Sequence, residues 1–451
     1  MNEYVKKDLR YIWHPCSQMK DYEELNPIVI EKGEGAWLYD IDGKKYLDCI
    51  SSWWTNTLGH SNKRINEAIK NQIDNIEHVI FANFSNKPAI ELAEKLVNIT
   101  PDKLNKVFFS DNGSSAVEIA LKMSFHYNMQ IGNIKKKKFL ALSNAYHGET
   151  LGALSVCDID EFNMVYKPLL LDTIRVEGPD CYRCKYGLNR ESCNAECFEF
   201  IERCIIKNNE ELSALIIEPM VQGAAGMKIY SPIYLKKLRE VCYKYKIHFI
   251  ADEIAMGFGR TGEMFACNHA NISPDFMCLS KGISAGYMPM SVIITTDEVY
   301  DCFYGNYNEK KSFLHSHTYA GNAMACAIAL ENIKIFEEDE IIKLNKEKGK
   351  LIKELSLKRA QSSKHIGEVR SIGMITAVEI VKDKDTKQLY PCNMRVGYEI
   401  YKIALKKGLL LRPIGSVLYF IPPYIISKEE IEFMVDTCFN SIDEYFKKNL
   451  Y

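Results

Sequence analysis

No stretch of this chain approaches the ~18 consecutive apolar residues of a membrane span. The opening Met1-Asn-Glu-Tyr-Val-Lys-Lys-Asp-Leu-Arg10 also lacks the apolar centre of a secretion signal, so a cytoplasmic protein is expected. Neither charge sign prevails: 57 Lys and Arg against 59 Asp and Glu leave a formal net charge of −2. With its basic residues dispersed, the chain offers no nucleic-acid surface. One basic run, Lys135 to Lys138, lies between Gly132 and the strand-like Phe139-Leu-Ala-Leu-Ser143 and reads as a solvated loop. Repeats of about 20 to 50 residues and low-complexity tracts are missing too, which excludes solenoids and propellers. Cysteine, in contrast, is plentiful at 15 residues. Most, such as Cys49, Cys157, Cys242, Cys278 and Cys326, sit in apolar stretches, as buried reduced thiols do, and no disulfide framework is expected.

What is present is ample material for a core. At 451 residues the chain supports one large or two modest domains. Its middle alternates short apolar strands with helical stretches. Strands are expected at Lys106 to Ser110, Lys138 to Ser143, Ala214 to Glu218, Ile247 to Asp252, Phe276 to Ser280 and Ser291 to Thr295. Helical spacing of apolar residues marks Ser115 to Tyr127 and Pro232 to Tyr245. This is the pattern of an α/β fold: a mostly parallel sheet flanked by helices, with a ligand crevice at the strand carboxyl ends. Polar residues fall at those ends, namely Ser110-Asp-Asn-Gly-Ser114, Tyr146-His147, Glu218, Asp252-Glu253 and Lys281, and all should face one crevice. From about Ile333 the pattern becomes helix, short strands (Val369 to Ile380, Leu409 to Leu411, Leu418 to Ile421) and helix. A large domain over 61–335 and a smaller α+β domain over 336–451, completed by residues 1–60, are therefore expected. Trp37 to Asp48 reads as a hairpin turning at Asp42-Gly43.

An acid ending one buried strand (Asp252) and a lysine ending another (Lys281) are two costly ionisable groups, unless each serves the other or a ligand. Pyridoxal phosphate needs such a pair: a lysine of depressed pKa to bind its aldehyde, and a carboxylate to keep its ring nitrogen protonated. Read alone, a strand-terminal lysine is more often structural. Gly113-Ser114-Ser115 ahead of a helix offers free amides to a phosphate, although a plain N-cap explains the same residues. Tyr146 could lie against a planar ring or simply fill the core.

The segments Ile250-Ala-Asp-Glu-Ile-Ala-Met-Gly-Phe-Gly-Arg-Thr-Gly262 and Leu279-Ser-Lys-Gly282 resemble the signature of class III, fold-type I aminotransferases. Asn144 to Thr150, Ile217 to Gly223 and His317 to Asn322 extend the likeness, which covers essentially the whole chain. Trp13-His-Pro15, Ser51-Ser-Trp53-Trp54, Ala153 to Asp158, Leu411-Arg412-Pro413 and Ile421-Pro-Pro-Tyr424 resemble more specifically the branch that aminates 8-amino-7-oxononanoate in biotin biosynthesis. The resemblance implies Lys281 as the Schiff-base lysine and proton shuttle, Asp252 on the pyridinium nitrogen, Gly113 and Ser114 on the phosphate, and Tyr146 over the ring. It implies further that Thr318 and the amide of His317 reach the phosphate of a neighbouring subunit, in a homodimer with composite sites. Trp53 and Trp54 would line the substrate tunnel, Ser316 would lie where donor and acceptor are read, and Arg412 would grip a carboxylate. Arg260 would sit near the site or mark a structural turn.

The chain departs from the family pattern in two places. Cys16 stands where Tyr commonly follows Trp-His-Pro, and Ser316-His317-Thr318 replaces a common Gly-Pro-Thr. Both touch the recognition of donor and acceptor, so S-adenosylmethionine and lysine stay open as donors. Cys181-x2-Cys184-x8-Cys193-x3-Cys197 has a spacing able to bind zinc or an iron–sulfur cluster, yet related insertions need no metal and none is expected. Two other readings remain: a class III enzyme for another ω-amino acid, and a cysteine-metal binding protein on an inactive scaffold.

Overall fold

The computed structural model describes residues 1–449. At its centre is a seven-stranded sheet: β1 (Leu104–Ser110), β2 (Lys138–Leu142), β3 (Thr173–Val176), β4 (Leu212–Ile217), β5 (His248–Asp252), β6 (Phe276–Leu279) and β7 (Ser291–Thr296), in the order β1-β7-β6-β5-β4-β2-β3. Neighbours run parallel except at β7, which is antiparallel to both β6 and β1. A sheet covered on both faces needs strands apolar on both sides, and every residue of β4 and β6 is buried. Ile216, Ile250 and Phe276 are fully enclosed, each such side chain contributing roughly 1.5–3 kcal/mol.

Six of these strands match the sequence reading to within two residues at each end. The seventh, β3, shows no periodicity because it is a four-residue edge strand carrying Arg175. The register pairs Asp252 with Cys278, so the ends of β5 and β6 lie side by side and Lys281 follows at once, opening the short turn Lys281–Ser284. Helix α1 (Gly113–Gln130) follows β1 and is capped by Asn112, whose side chain accepts from the Ser115 amide at 3.0 Å.

The two chain ends share a second layer. Trp37–Asp40 pairs with Lys45–Asp48 across Asp42-Gly43 as expected, Gly43 taking φ +80. An unforeseen strand, Ile30–Glu34, joins on one side, and Leu409–Leu410 runs parallel to Leu47-Asp48 on the other. Ile366–Ile372, Ile375–Ile380 and Val417–Phe420 form an antiparallel sheet packed by the helix Ile341–Ala360. Its hairpin turns at Gly373, where a Cβ would come within 2.2 Å of the Thr261 carbonyl carbon; only glycine allows this sheet to approach the loop that carries Arg260.

Lys136 corrects the expected solvated loop. It is 9% exposed, and its ammonium donates to the carbonyls of Tyr245 (3.2 Å) and Lys246 (2.8 Å), capping the end of the helix Pro232–Lys244. Lys135 and Lys138 do stay near solvent, paired with Glu210 and Glu211. All 15 cysteines are free thiols. Among the described residues, no helix is long and apolar enough to cross a membrane.

Candidate active site

Strand ends β2, β4, β5 and β6 converge on one crevice. Asp252, 5% exposed, closes β5; its Oδ2 lies 2.7 Å from His147 Nδ1, and its Oδ1 accepts from the Ile254 amide at 3.1 Å. The buried Nε2 of His147 has no hydrogen-bond partner among the described residues. Glu218 ends β4 and takes the amides of Tyr146 (3.2 Å) and Gly223 (2.8 Å). Burial pushes its carboxyl up to about 7. Glu253 does not face the crevice, contrary to expectation. Consecutive residues of an extended chain point to opposite sides, and its carboxylate accepts from the amides of Ala266 (2.9 Å) and Cys267 (2.7 Å) instead.

Lys281 has its backbone in the left-handed region, at φ +42. Its amine lies 4.5 Å from the centre of the Trp54 ring and, among the described residues, makes no hydrogen bond or ion pair. Burial draws its pKa down to about 8, against the upward pull of the Asp252 and Glu218 carboxylates. The result is an amine with substantial neutral character near physiological pH, which a nucleophile toward an aldehyde requires.

At the start of α1, the amides of Gly113 and Ser114 have no acceptor among the described residues, as first-turn amides do. The Ser114 hydroxyl is already engaged: it accepts from the amides of Glu149 (3.1 Å) and Thr150 (3.0 Å). The backbone is thus left to meet an anion. A Cβ on Gly113 would close to 2.9 Å from Ile254 Cγ2, so the bare glycine keeps this cradle open. Asp111, just before the helix, holds the His317 imidazole at 2.8 Å, and its buried Oδ1 has no partner among the described residues. Ser316 and Thr318 flank His317 and are exposed.

The mouth of the crevice lies between the chain ends. Arg412 donates to the Cys16 carbonyl at 2.8 Å and stacks its guanidinium 4.6 Å from the Trp53 ring centre. Tyr146 donates its hydroxyl to Glu149 at 2.8 Å, and burial and that carboxylate raise the phenol's pKa. The paired tryptophans divide: Trp53 is 41% exposed at the mouth, whereas Trp54 is 6% exposed, donates to the Tyr419 hydroxyl at 3.1 Å and lies under Lys281. Ser51, Ser52, Trp53 and Trp54 have φ of +49, +45, +73 and +71, a left-handed turn that costs roughly 1–2 kcal/mol per residue. Fully buried Arg260 grips its far end, donating to the carbonyls of Trp54 (3.2 Å), Asn56 (3.3 Å) and Pro422 (3.1 Å).

Of the residues expected from the sequence, Lys281, Asp252 and Tyr146 lie at or just beyond the converging strand ends, Gly113 and Ser114 open α1, and Arg412 lies over Trp53. The sequence had placed His147 and Glu218 at the crevice without a chemical role and had not singled out Glu149, and nothing marked the Ser51–Trp54 turn except two serines before two tryptophans. Cys181, Cys184, Cys193 and Cys197 line one small pocket with Arg190. Among the described residues, no group of three or more His, Cys, Asp or Glu is placed to hold a metal ion.

A buried acid and a buried amine at adjoining strand ends, beside a helix start stripped to glycine, suit a phosphorylated aldehyde cofactor. The fold and site are those of a pyridoxal-phosphate enzyme. The chain belongs to the class III aminotransferases: it matches the family described as Aminotransferase class-III over residues 18–442. It is 46% identical to the adenosylmethionine-8-amino-7-oxononanoate aminotransferase of Geobacter sulfurreducens, over 96% of each chain. The crystal structure of the Methanocaldococcus jannaschii enzyme of that name superposes with a TM-score of 0.92 at 41% identity, over 98% of each chain. The omega transaminase of Pseudomonas jessenii in complex with PMP superposes at 0.94, with 32% identity over 99% of each chain.

Proposed function

We propose that the chain transfers an amino group to 8-amino-7-oxononanoate, forming 7,8-diaminononanoate in biotin biosynthesis. Relatives of that name align along nearly the whole chain. The reading is carried by two neighbouring contacts: the Lys281 amine over Trp54, and the Arg412 guanidinium over the adjacent Trp53. One end suits amine chemistry and the other a carboxylate.

Pyridoxal phosphate, when bound, supplies an aldehyde for the amine and a ring that takes up electron density. Gly113 and Ser114 offer their amides to its phosphate, with Thr318 and the His317 amide of a second subunit completing the cradle. Asp252 holds the ring nitrogen protonated, and the His147 contact fixes which way that carboxylate points. Lys281 carries the cofactor when free of substrate, then removes and returns the proton at the reacting carbon; a pKa near 8 suits both directions. Tyr146 covers the ring. Trp53 and Trp54 wall the substrate path, with Ser316 near the donor and Arg412 on the carboxylate.

A homodimer fits the loop that carries Thr318, where Tyr307 and Leu314 are at least nine-tenths exposed and Tyr319 65% exposed. Residues 1–60 and 336–451 are read as one smaller unit, supported by the pairing of Leu409-Leu410 with Leu47-Asp48. The relatives' names include adenosylmethionine, which favours it over lysine as donor. The test is to mix purified holoenzyme with 8-amino-7-oxononanoate and each donor in turn. Accumulation of 7,8-diaminononanoate with one of them is expected. Absence of product with both, alongside turnover of another ω-amino acid, would instead favour the reading suggested by the omega transaminase likeness.

A further inference from the structure

The tryptophan turn is held by a residue outside the set above. Asp48 ends the strand Lys45–Asp48 and is fully buried. Its Oδ1 accepts from the amides of Ile50 (3.3 Å) and Ser52 (3.0 Å), and its Oδ2 from the Ser52 hydroxyl (2.8 Å). His60 Nε2 lies 3.0 Å from the same Oδ2, while the Asn56 side-chain amide lies 3.0 Å from His60 Nδ1. With that amide donating, Nδ1 is the acceptor and Nε2 carries the proton toward Asp48. Four donors thus converge on one carboxylate at the entry to the turn. Ser51 adds a hydroxyl bond to the Ile421 carbonyl at 2.7 Å.

Four successive non-glycine residues in the left-handed region persist only where their surroundings over-determine them. A connection needing nothing but a reversal would use glycine. Here bulky indoles occupy two of the four positions, and Trp53 remains 41% exposed, so its burial does not offset the strain. What the turn achieves is to set the Trp53 face against the Arg412 guanidinium at 4.6 Å.

We propose that Asp48 is a positioning residue for the substrate mouth: by templating the left-handed turn Ser51–Trp54 it places Trp53 beside Arg412, so that a straight-chain aliphatic carboxylate lays its methylenes on the indole while the arginine takes its charge. The proposal rests on the assignment of Arg412 to the substrate carboxylate. Ser52 is exposed and its hydroxyl is one of the four donors to Asp48, so Val and Gly at this position both remove that bond and differ in the backbone they allow.

The test is calorimetric titration of the holoenzyme with nonanoate, a probe that cannot react. Arg412→Ala should weaken binding by about tenfold or more. Ser52→Val places a β-branched residue at positive φ and should weaken it by about fivefold, while Ser52→Gly stays within about twofold. Asp48→Asn should lose affinity as Ser52→Val does, and adding Ser52→Gly should restore part of it. Throughout the Ser52 series the visible absorbance of the cofactor should hold at the wild-type value, while Ser52→Val lowers the unfolding temperature by a few degrees. Wild-type affinity in Ser52→Val overturns the proposal, as does wild-type affinity in Asp48→Asn. If Asp48→Asn fails to fold, the Val and Gly pair at position 52 decides. Nonanoate binding that ignores Arg412→Ala refutes the carboxylate assignment itself, and the proposal falls with it.

Discussion

The floor of the crevice and its mouth are built on different plans. At the floor, Asp252, His147 and Glu218 are each under a tenth exposed; Asp252 and Glu218 end central strands of one sheet, and His147 follows a third. At the mouth, Cys16, Trp53 and Arg412 come from both ends of the chain, half-buried or exposed, and hold one another by a single hydrogen bond and a stacked guanidinium. A rigid sheet suits groups that exchange protons within tenths of an ångström, whereas a mouth assembled from chain termini can change its ligand without disturbing them. Damage to the floor should therefore lower kcat, and damage to the mouth should raise KM.

The sharpest break in that comparison is Lys281→Ala. With the amine proposed both to attach the cofactor and to move the proton removed, the transamination rate should fall by about 10⁴-fold or more, read as single-turnover kinetics with each substrate. Asp252→Ala should follow with a loss of about 10²–10³-fold in kcat and little change in KM for the ketone; a KM effect alone would move Asp252 from the chemistry to binding. Arg412→Ala should show the opposite split. Losing a charge-assisted pair worth about 1.5–3 kcal/mol raises KM for a carboxylate-bearing ketone by roughly 10- to 100-fold, with kcat nearly kept.

The pH dependence of cofactor loading sharpens the picture of the floor. Because burial lowers the Lys281 pKa to about 8 from 10.5, the neutral amine predominates above pH 8. The rate at which cofactor-free protein takes up pyridoxal phosphate should climb with pH and level off through a midpoint near 8. A midpoint near 10 would mean that the amine is effectively solvated. The smallest effect belongs to a region outside both. Lys136→Met deprives the carbonyls of Tyr245 and Lys246 of their donor and should cost about 1 kcal/mol of stability in denaturant titration, leaving turnover unchanged.

The same contrast explains what the sequence made legible. The floor could be read because buried parallel strands are near-continuous apolar runs, against which Asp252, Glu218 and Lys281 stand out at the ends. Glu253 was misplaced because its alternation to the far side depends on where β5 stops, and a boundary shift of one residue reverses the face. Lys136 was read as solvated because its partners, the carbonyls of Tyr245 and Lys246, leave no trace in side-chain pattern. β3 is too short and too polar to carry a period. At the mouth, Arg412 and Trp53 lie some 360 residues apart in the chain, and no local rule joins them. Only family resemblance suggested that both belonged to the substrate site. The left-handed course of Ser51–Trp54 was invisible for a further reason: the residues that impose it, Asp48, His60 and Arg260, act through hydrogen bonds that composition and spacing do not encode.

Lys281 is proposed to be the lysine that holds the cofactor. Borohydride reduction of the yellow holoenzyme, followed by peptide mass mapping, tests it directly. One phosphopyridoxyl mass is expected, on the peptide containing Lys281 and missing from Lys281→Ala. The same mass on another lysine, or a loaded enzyme that leaves every lysine unmodified, would contradict it.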